Sequence, residues 1–171
     1  MEPLSEQSLS KQVIPPPPLG LLIAAARRGI KHAATLRLRR RRLSAQQFWL
    51  LVAIHEQPGL SLRELAERRL MDSPTASRMV DALVRRGLVR IESCPQDRRR
   101  RSILLSVRGT ALARDIHPLA LQMREVIQEG LSDAESGALR RLLLRVIANV
   151  ERFENGGSAR AARRTAARRK R

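Results

Sequence analysis

"SPTASRMVDALVRRGLVRIESCPQDRRRRSILLS", residues 73–106, changes its periodicity halfway along. In the first half Ala76, Met79, Val80 and Leu83 recur at helical spacing. Ser73 followed by Pro74 reads as the start of that helix, with proline at the first helical position, where its missing N–H costs nothing. Gly87 follows Arg86 as a residue suited to a left-handed helix end. In the second half "LVRIES" reads as a short strand, "CPQD" as a turn and "RSILLS" as a second strand. The four consecutive arginines Arg98–Arg101 therefore fall on a small hairpin beside a helix. A charge run alone is usually a solvated face; its place on a hairpin beside a helix points to a partner.

Working upstream, Ser61 with Glu64 has the spacing of a capping box and opens a short helix, Leu62–Arg69, buried through Leu62, Leu65 and Ala66. Ser44 with Gln47 repeats that spacing and starts a helix through about Glu56, with Phe48, Leu51, Val52 and His55 on or near one face; Pro58 and Gly59 close it. Three short helices, two of them separated by a few residues, suggest a helix-turn-helix, and the hairpin makes it winged.

Longer helices flank this unit. Leu19, Leu22, Ile23, Ala26, Ile30 and Ala33 predict an amphipathic helix to about Leu36, followed by the run "RLRRRR" at 37–42. Downstream, Ser106 caps the next helix, whose stripe is Leu112, Ile116, Leu119, Met123, Val126 and Ile127, with Pro118 as a local kink. Ser132 and Glu135 make a further capping box before Leu139, Leu142, Leu143, Val146, Val150 and Phe153. Amphipathic helices flanking so small a unit need a partner surface, which a homodimer supplies. The domains read as an irregular lead-in at 1–18 that ends in four prolines, an N-terminal dimerisation helix at 19–42, a DNA-binding domain at 43–106, C-terminal dimerisation helices at 107–154, and a disordered basic tail at 155–171. The expected fold class is mainly α with a small β-hairpin wing.

Charge identifies the class of partner. The net charge of +18 falls to +11 when the seven basic residues of Ala159–Arg171 are set aside, so the body itself is basic and suits a polyanion such as nucleic acid. Lys11, Lys31 and Lys170 are the only lysines; the other basic side chains are arginines, which hold phosphates and base edges in a fixed fork. One cysteine, Cys94, excludes an intramolecular disulfide framework and fits a reducing compartment. The apolar stretch Leu19–Ala26 is far short of the roughly 20 residues of a membrane span, so a cytoplasmic, nucleoid-associated protein without a membrane partner is expected. His32, His55 and His117 are far apart in sequence, with no cysteine or carboxylate at ligand spacing; neither a metal site nor a cofactor is expected. No nucleophile, catalytic base or phosphate-cradling glycine loop stands out, so the reading is not an enzyme.

The segments "LSAQQFWLLVAIHEQPGLSLRELAERRLMDSPTASRMVDALVRRGLVR" from Leu43 and "PQDRRRRSILLSVRG" from Pro95 resemble the MarR family of bacterial transcriptional regulators. The most specific features are the ordered series Leu65-Ala66, Ser77-Arg78, the "GLV" at Gly87, then Asp97, Arg98 and Arg99 followed by Leu105, Ser106 and Gly109. With the flanking helices, the resemblance spans roughly Leu19–Phe153. It implies a triangular homodimer on a pseudo-palindromic operator, acting as a ligand-responsive repressor, with a small aromatic or phenolic effector in the cleft between winged domain and dimer helices. It also implies that Asp97 orients Arg99 at the wing tip. Three positions depart from the family pattern: Pro74 for a small hydroxyl residue, Ile91 for arginine and Ser106 for threonine.

The residues support an interface of their own. Ser73, Thr75, Ser77 and Arg78 occupy the first turns of the recognition helix, where free N–H groups and short hydroxyls meet phosphates or base edges. Arg78 is the candidate for a major-groove base contact, and Arg85 and Arg86 for backbone contacts. On the wing, a carboxylate fixing a guanidinium lowers the cost of placing it in a narrow minor groove, which suits Asp97 with Arg99; Arg98, Arg100 and Arg101 add attraction for phosphate. An architectural or nucleoid-coating protein is the alternative, favoured by the basic tail and the "RLRRRR" run. No residues are assigned to a ligand pocket, and Cys94 is not expected to be the main effector sensor.

Overall fold

The computed structural model describes residues 15–93 and 101–168, with 155 and 157–168 described as backbone only. Its helices are α1 (Leu19–Leu38), α2 (Ala45–Glu56), α3 (Leu62–Arg68), α4 (Ser73–Arg85), α5 (Val107–Gln128) and α6 (Asp133–Arg168); a 3₁₀ turn, Arg39–Arg41, follows α1. Strands β1 (Val89–Ser93) and β2 (Arg101–Leu105) pair antiparallel, Val89 opposite Leu105 and Ser93 opposite Arg101. The fold is mainly helical with a small β-hairpin wing.

Local chemistry explains most boundaries. Ser44 accepts the Gln47 N–H while Gln47 accepts from the Ser44 backbone, and Ser61 with Glu64 and Ser132 with Glu135 do the same. Gly87 ends α4 with φ 65°, and its N–H donates to the Val84 carbonyl. Ser106 caps α5 by accepting the Gly109 N–H at 2.9 Å. Pro118 lies inside α5 without ending it.

Three expectations change. The cap of α4 is Asp72, not Ser73: its carboxylate accepts the Thr75 N–H, which makes Ser73 the first helical residue and Pro74 the second. An aspartate accepts this bond with a full charge beside the positive helix end, which serine lacks. On α2, Phe48 and the consecutive residues Leu50–Ile54 are all buried, so this helix is enclosed on several sides rather than along one stripe. Finally, α6 continues past Glu154 to Arg168, so the expected disordered tail is a helical backbone over 155–168. The sequence from Ala159 to Arg168 is nearly all alanine and arginine, both strong helix formers, and this outweighs Gly156 and Gly157.

The chain divides into two compact units, one ending at Leu121 and the other beginning at Gln122. In the first, α2 is the hub. Ala34 and Leu38 of α1, Leu65 of α3, Ala76, Val80 and Leu83 of α4, Leu88, Val89 and Ile103 of the hairpin region, and Ala113, Ile116 and Ala120 of α5 complete the core. The loop after α2 adds a pairing absent from the sequence reading: the Gly59 N–H donates to the Ile103 carbonyl, and the Ile103 N–H to that of Leu60. Bonded to β1 on one edge and to this loop on the other, β2 is anchored on both sides. Arg41 forks onto Asp115 of α5, Nε to Oδ2 at 2.6 Å and Nη2 to Oδ1 at 3.0 Å. This bond raises the Arg41 pKa and lowers that of Asp115.

In the second unit α6 leaves Leu139, Leu142, Leu143, Val150 and Phe153 exposed. Leu19, Leu21 and Leu22 of α1 are exposed in the first. Among the described residues no helix is long and apolar enough to cross a membrane.

Candidate nucleic-acid interface

Helix α3 leads into α4 through a tight turn. The Met71 N–H donates to the Ala66 carbonyl, and Leu70 takes a left-handed conformation with φ 49°. With Ala76, Val80 and Leu83 anchored inward, α4 presents Ser73, Arg78 and Arg85 to solvent and leaves Thr75 and Ser77 half-buried. These five are among the residues singled out from sequence, and the structure places them on one helix as expected.

Their bonding adds detail. The Thr75 N–H is taken by Asp72 Oδ1 at 2.7 Å, the Ala76 N–H by the Asp72 carbonyl, and Pro74 has none to give. The cap thus takes the Thr75 N–H and Pro74 removes another, so fewer N–H groups of the first turn are open to a partner than expected. The Thr75 hydroxyl donates to Asp72 Oδ2 at 2.9 Å and accepts from Arg78 Nη2 at 3.1 Å. The Thr75 backbone N–H holds the Asp72 carboxyl below the ordinary carboxylate range, with smaller help from the Thr75 hydroxyl and the Arg78 charge.

Arg86 differs from Arg85. It is half-buried and donates to Gln47 Oε1 at 3.1 Å, tying the end of α4 to the cap of α2, whereas Arg85 is exposed. Both were expected at the DNA backbone; Arg86 has a fold-internal bond. On the hairpin, Arg101 is exposed at the start of β2, and Arg90 pairs with Glu92 two residues along β1. Asp97, Arg98, Arg99, Arg100 and Cys94 lie outside the described residues.

Two further features lie outside α4 and the hairpin. Residues 19–55 hold eight basic side chains and no carboxylate, and Arg39, Arg40 and Arg42 are exposed at the corner between α1 and α2. His55 and His117, remote in sequence, meet edge to face with ring centroids 5.2 Å apart, and His117 Nε2 lies 3.4 Å from Glu56 Oε1. His32 is exposed on α1. Among the described residues no group of three or more histidine, cysteine or acidic side chains is arranged to hold a metal ion.

Comparison with known proteins places this geometry. Residues 43–100 match the model of the MarR family. The HTH-type transcriptional repressor NicR of Pseudomonas putida is 31% identical over 109 residues, covering 64% of this chain and 69% of NicR. Among solved structures, a mutant of MarR from E. coli complexed with operator DNA superposes with a TM-score of 0.62 at 26% identity, covering 82% of this chain and 99% of the other. A structure of Bordetella bronchiseptica BpsR, whose DNA binding is regulated by 6-hydroxynicotinic acid, gives 0.61 at 27% identity, covering 83% of this chain and 97% of BpsR.

Proposed function

Because the chain belongs to the MarR family of transcriptional regulators, and is therefore a DNA-binding regulator rather than an enzyme, we propose that it is a repressor that binds a pseudo-palindromic operator as a homodimer. The observation that carries this reading is α4, an anchored helix that exposes Arg78 and Arg85, seven positions apart and so on one side, and Ser73 at its start, next to a hairpin wing. Arg78 reads a base edge in the major groove and Arg85 holds phosphate, with Arg86 supporting the end of the helix; the wing arginines Arg98–Arg101, with Arg99 set by Asp97, extend the contact into the adjacent minor groove.

Two groups of exposed apolar side chains support the dimer: Leu19, Leu21 and Leu22 on α1, and Leu139, Leu142, Leu143, Val150 and Phe153 on α6. Covering them with a second copy removes apolar surface from water, and two copies related by a twofold axis match an inverted repeat. Repression follows NicR, which is named as a repressor, and release by a small aromatic effector follows BpsR. Such a regulator acts on the chromosome in the cytoplasm.

The test is footprinting of the purified protein on DNA upstream of its own gene at about 0.15 M salt, where non-specific binding is weak. One protected inverted repeat, lost on adding an aromatic carboxylate, supports a ligand-responsive repressor. Uniform protection supports a nucleoid-coating protein instead.

A further inference from the structure

We propose that Asp72 and Thr75 are the positioning residues of the recognition helix: the Asp72 carboxylate, acting through the Thr75 hydroxyl, holds the Arg78 guanidinium in the conformation that reads a base. The inference rests on the functional reading above and adds roles that neither the charge of these residues nor their place in sequence discloses.

The chemistry follows from what a hydroxyl offers, one O–H donor and two acceptor lone pairs. The Thr75 donor is committed to Asp72 Oδ2, and one lone pair takes the Arg78 Nη2 hydrogen. Phosphate oxygens only accept, so Thr75 has no donor left for DNA backbone and is a support rather than a contact. Polarised by the carboxylate, its oxygen is a better acceptor for the guanidinium, since bonds in such a chain strengthen one another. The chain fixes one end of a long side chain and leaves the remaining N–H groups of Arg78 free to fork onto a guanine edge. It also lowers the ordering that Arg78 undergoes on binding. Asp72 is itself held in place, because its other oxygen caps α4 through the Thr75 N–H.

A negative residue on a DNA-binding surface should weaken binding by simple repulsion. The relay instead makes it necessary for discrimination, so the two accounts differ in sign. Asp72→Asn separates them while preserving the helix cap, because asparagine caps helices as well as aspartate does. Its amide oxygen still accepts the Thr75 N–H, but its NH₂ donates to the hydroxyl, which reverses that one bond and removes the negative charge that polarised the Thr75 oxygen toward Arg78. The probe is the duplex that wild type selects from a pool with a randomised core of roughly 20 base pairs, enough for two half-sites. Variants of that duplex, changed at the base pair whose preference Arg78→Ala abolishes, measure discrimination, and thermal melts check folding.

The expected result is that Asp72→Asn loses about five- to tenfold of the discrimination at that base pair, at the lower end of the range of a forked arginine–guanine contact, while binding to random duplex stays level or tightens. Thr75→Val should reproduce the loss and Thr75→Ser should restore discrimination. In an Arg78→Ala background Asp72→Asn should cost no further discrimination, because both changes act through one side chain. Unchanged discrimination in Asp72→Asn, or a loss that adds in full to that of Arg78→Ala, overturns the relay. If wild type selects no preferred duplex, the sequence-specific reading itself fails, an outcome distinct from a relay without effect.

Discussion

Gly109 lies in the first turn of α5, buried against the backbone of Leu88 where α4 gives way to β1. A Cβ added there would overlap the Leu88 carbonyl oxygen and lie 2.8 Å from its carbonyl carbon, in neither case against the yielding end of a side chain. The same carbonyl accepts the Ser106 N–H at 3.0 Å, and Ser106 Oγ donates to the Gly87 carbonyl at 2.7 Å while accepting from the Gly109 N–H. Gly109→Ala must therefore push α5 away from the wing and stretch this joint. Overpacking of this kind costs about 1–3 kcal/mol. A buried carbonyl left without its donor costs a further ~1–3 kcal/mol. Better helix propensity returns about 1 kcal/mol. The net expectation is a loss of about 3 kcal/mol, or a fall in Tm of roughly 6–12 °C for a chain of this size. Urea and thermal unfolding at one fixed protein concentration measure it, fixed because dimerisation makes stability depend on concentration. Gly29→Ala, in α1 with nothing within 4 Å of the new Cβ, is the control and should gain about 0.5–1 kcal/mol. A Gly109→Ala protein as stable as wild type would refute the close approach of α5 to the wing.

Other expectations concern charge. Asp115 is held below the ordinary carboxylate range by its bond to Arg41, so the pair stabilises the fold above that range and the contribution is lost as pH falls through the lowered value. Since the Asp115 side chain is 54% exposed, Asp115→Asn should cost well under ~1 kcal/mol near neutral pH, and denaturation curves of the two proteins should converge in acid. Replacing Arg39, Arg40 and Arg42 together by glutamine should lower the slope of log affinity against log salt by up to ~2.7 if all three meet phosphate, and an unchanged slope would leave them as a solvated corner. Deleting Ala159–Arg171 removes seven basic residues and should weaken operator and random duplex by similar factors; a loss confined to operator would mean that this segment contributes to recognition.

Much of the architecture was legible in the residues because it depends on groups three or four positions apart. The capping boxes at Ser44, Ser61 and Ser132, the left-handed Gly87 and the change from helical to alternating period after it are local devices, and each appears where its spacing places it. The Asp72 cap was equally local and equally readable, but Ser73 competed for the same role; an acidic residue three positions before a free N–H was the signal that decides between them. The helical backbone beyond Glu154 was legible too, in the alanine and arginine content that was read as disorder for its charge. What only the tertiary structure settled joins distant segments. The enclosure of α2 on several sides, the pairing of Leu60 with Ile103, the Arg86–Gln47 bond, the meeting of His55 with His117 and the Arg41–Asp115 clamp across 74 positions depend on how elements pack. Periodicity states which face of a helix is apolar, but the neighbour that covers it, and the polar groups brought together as a result, follow from chain crossings that local spacing does not encode.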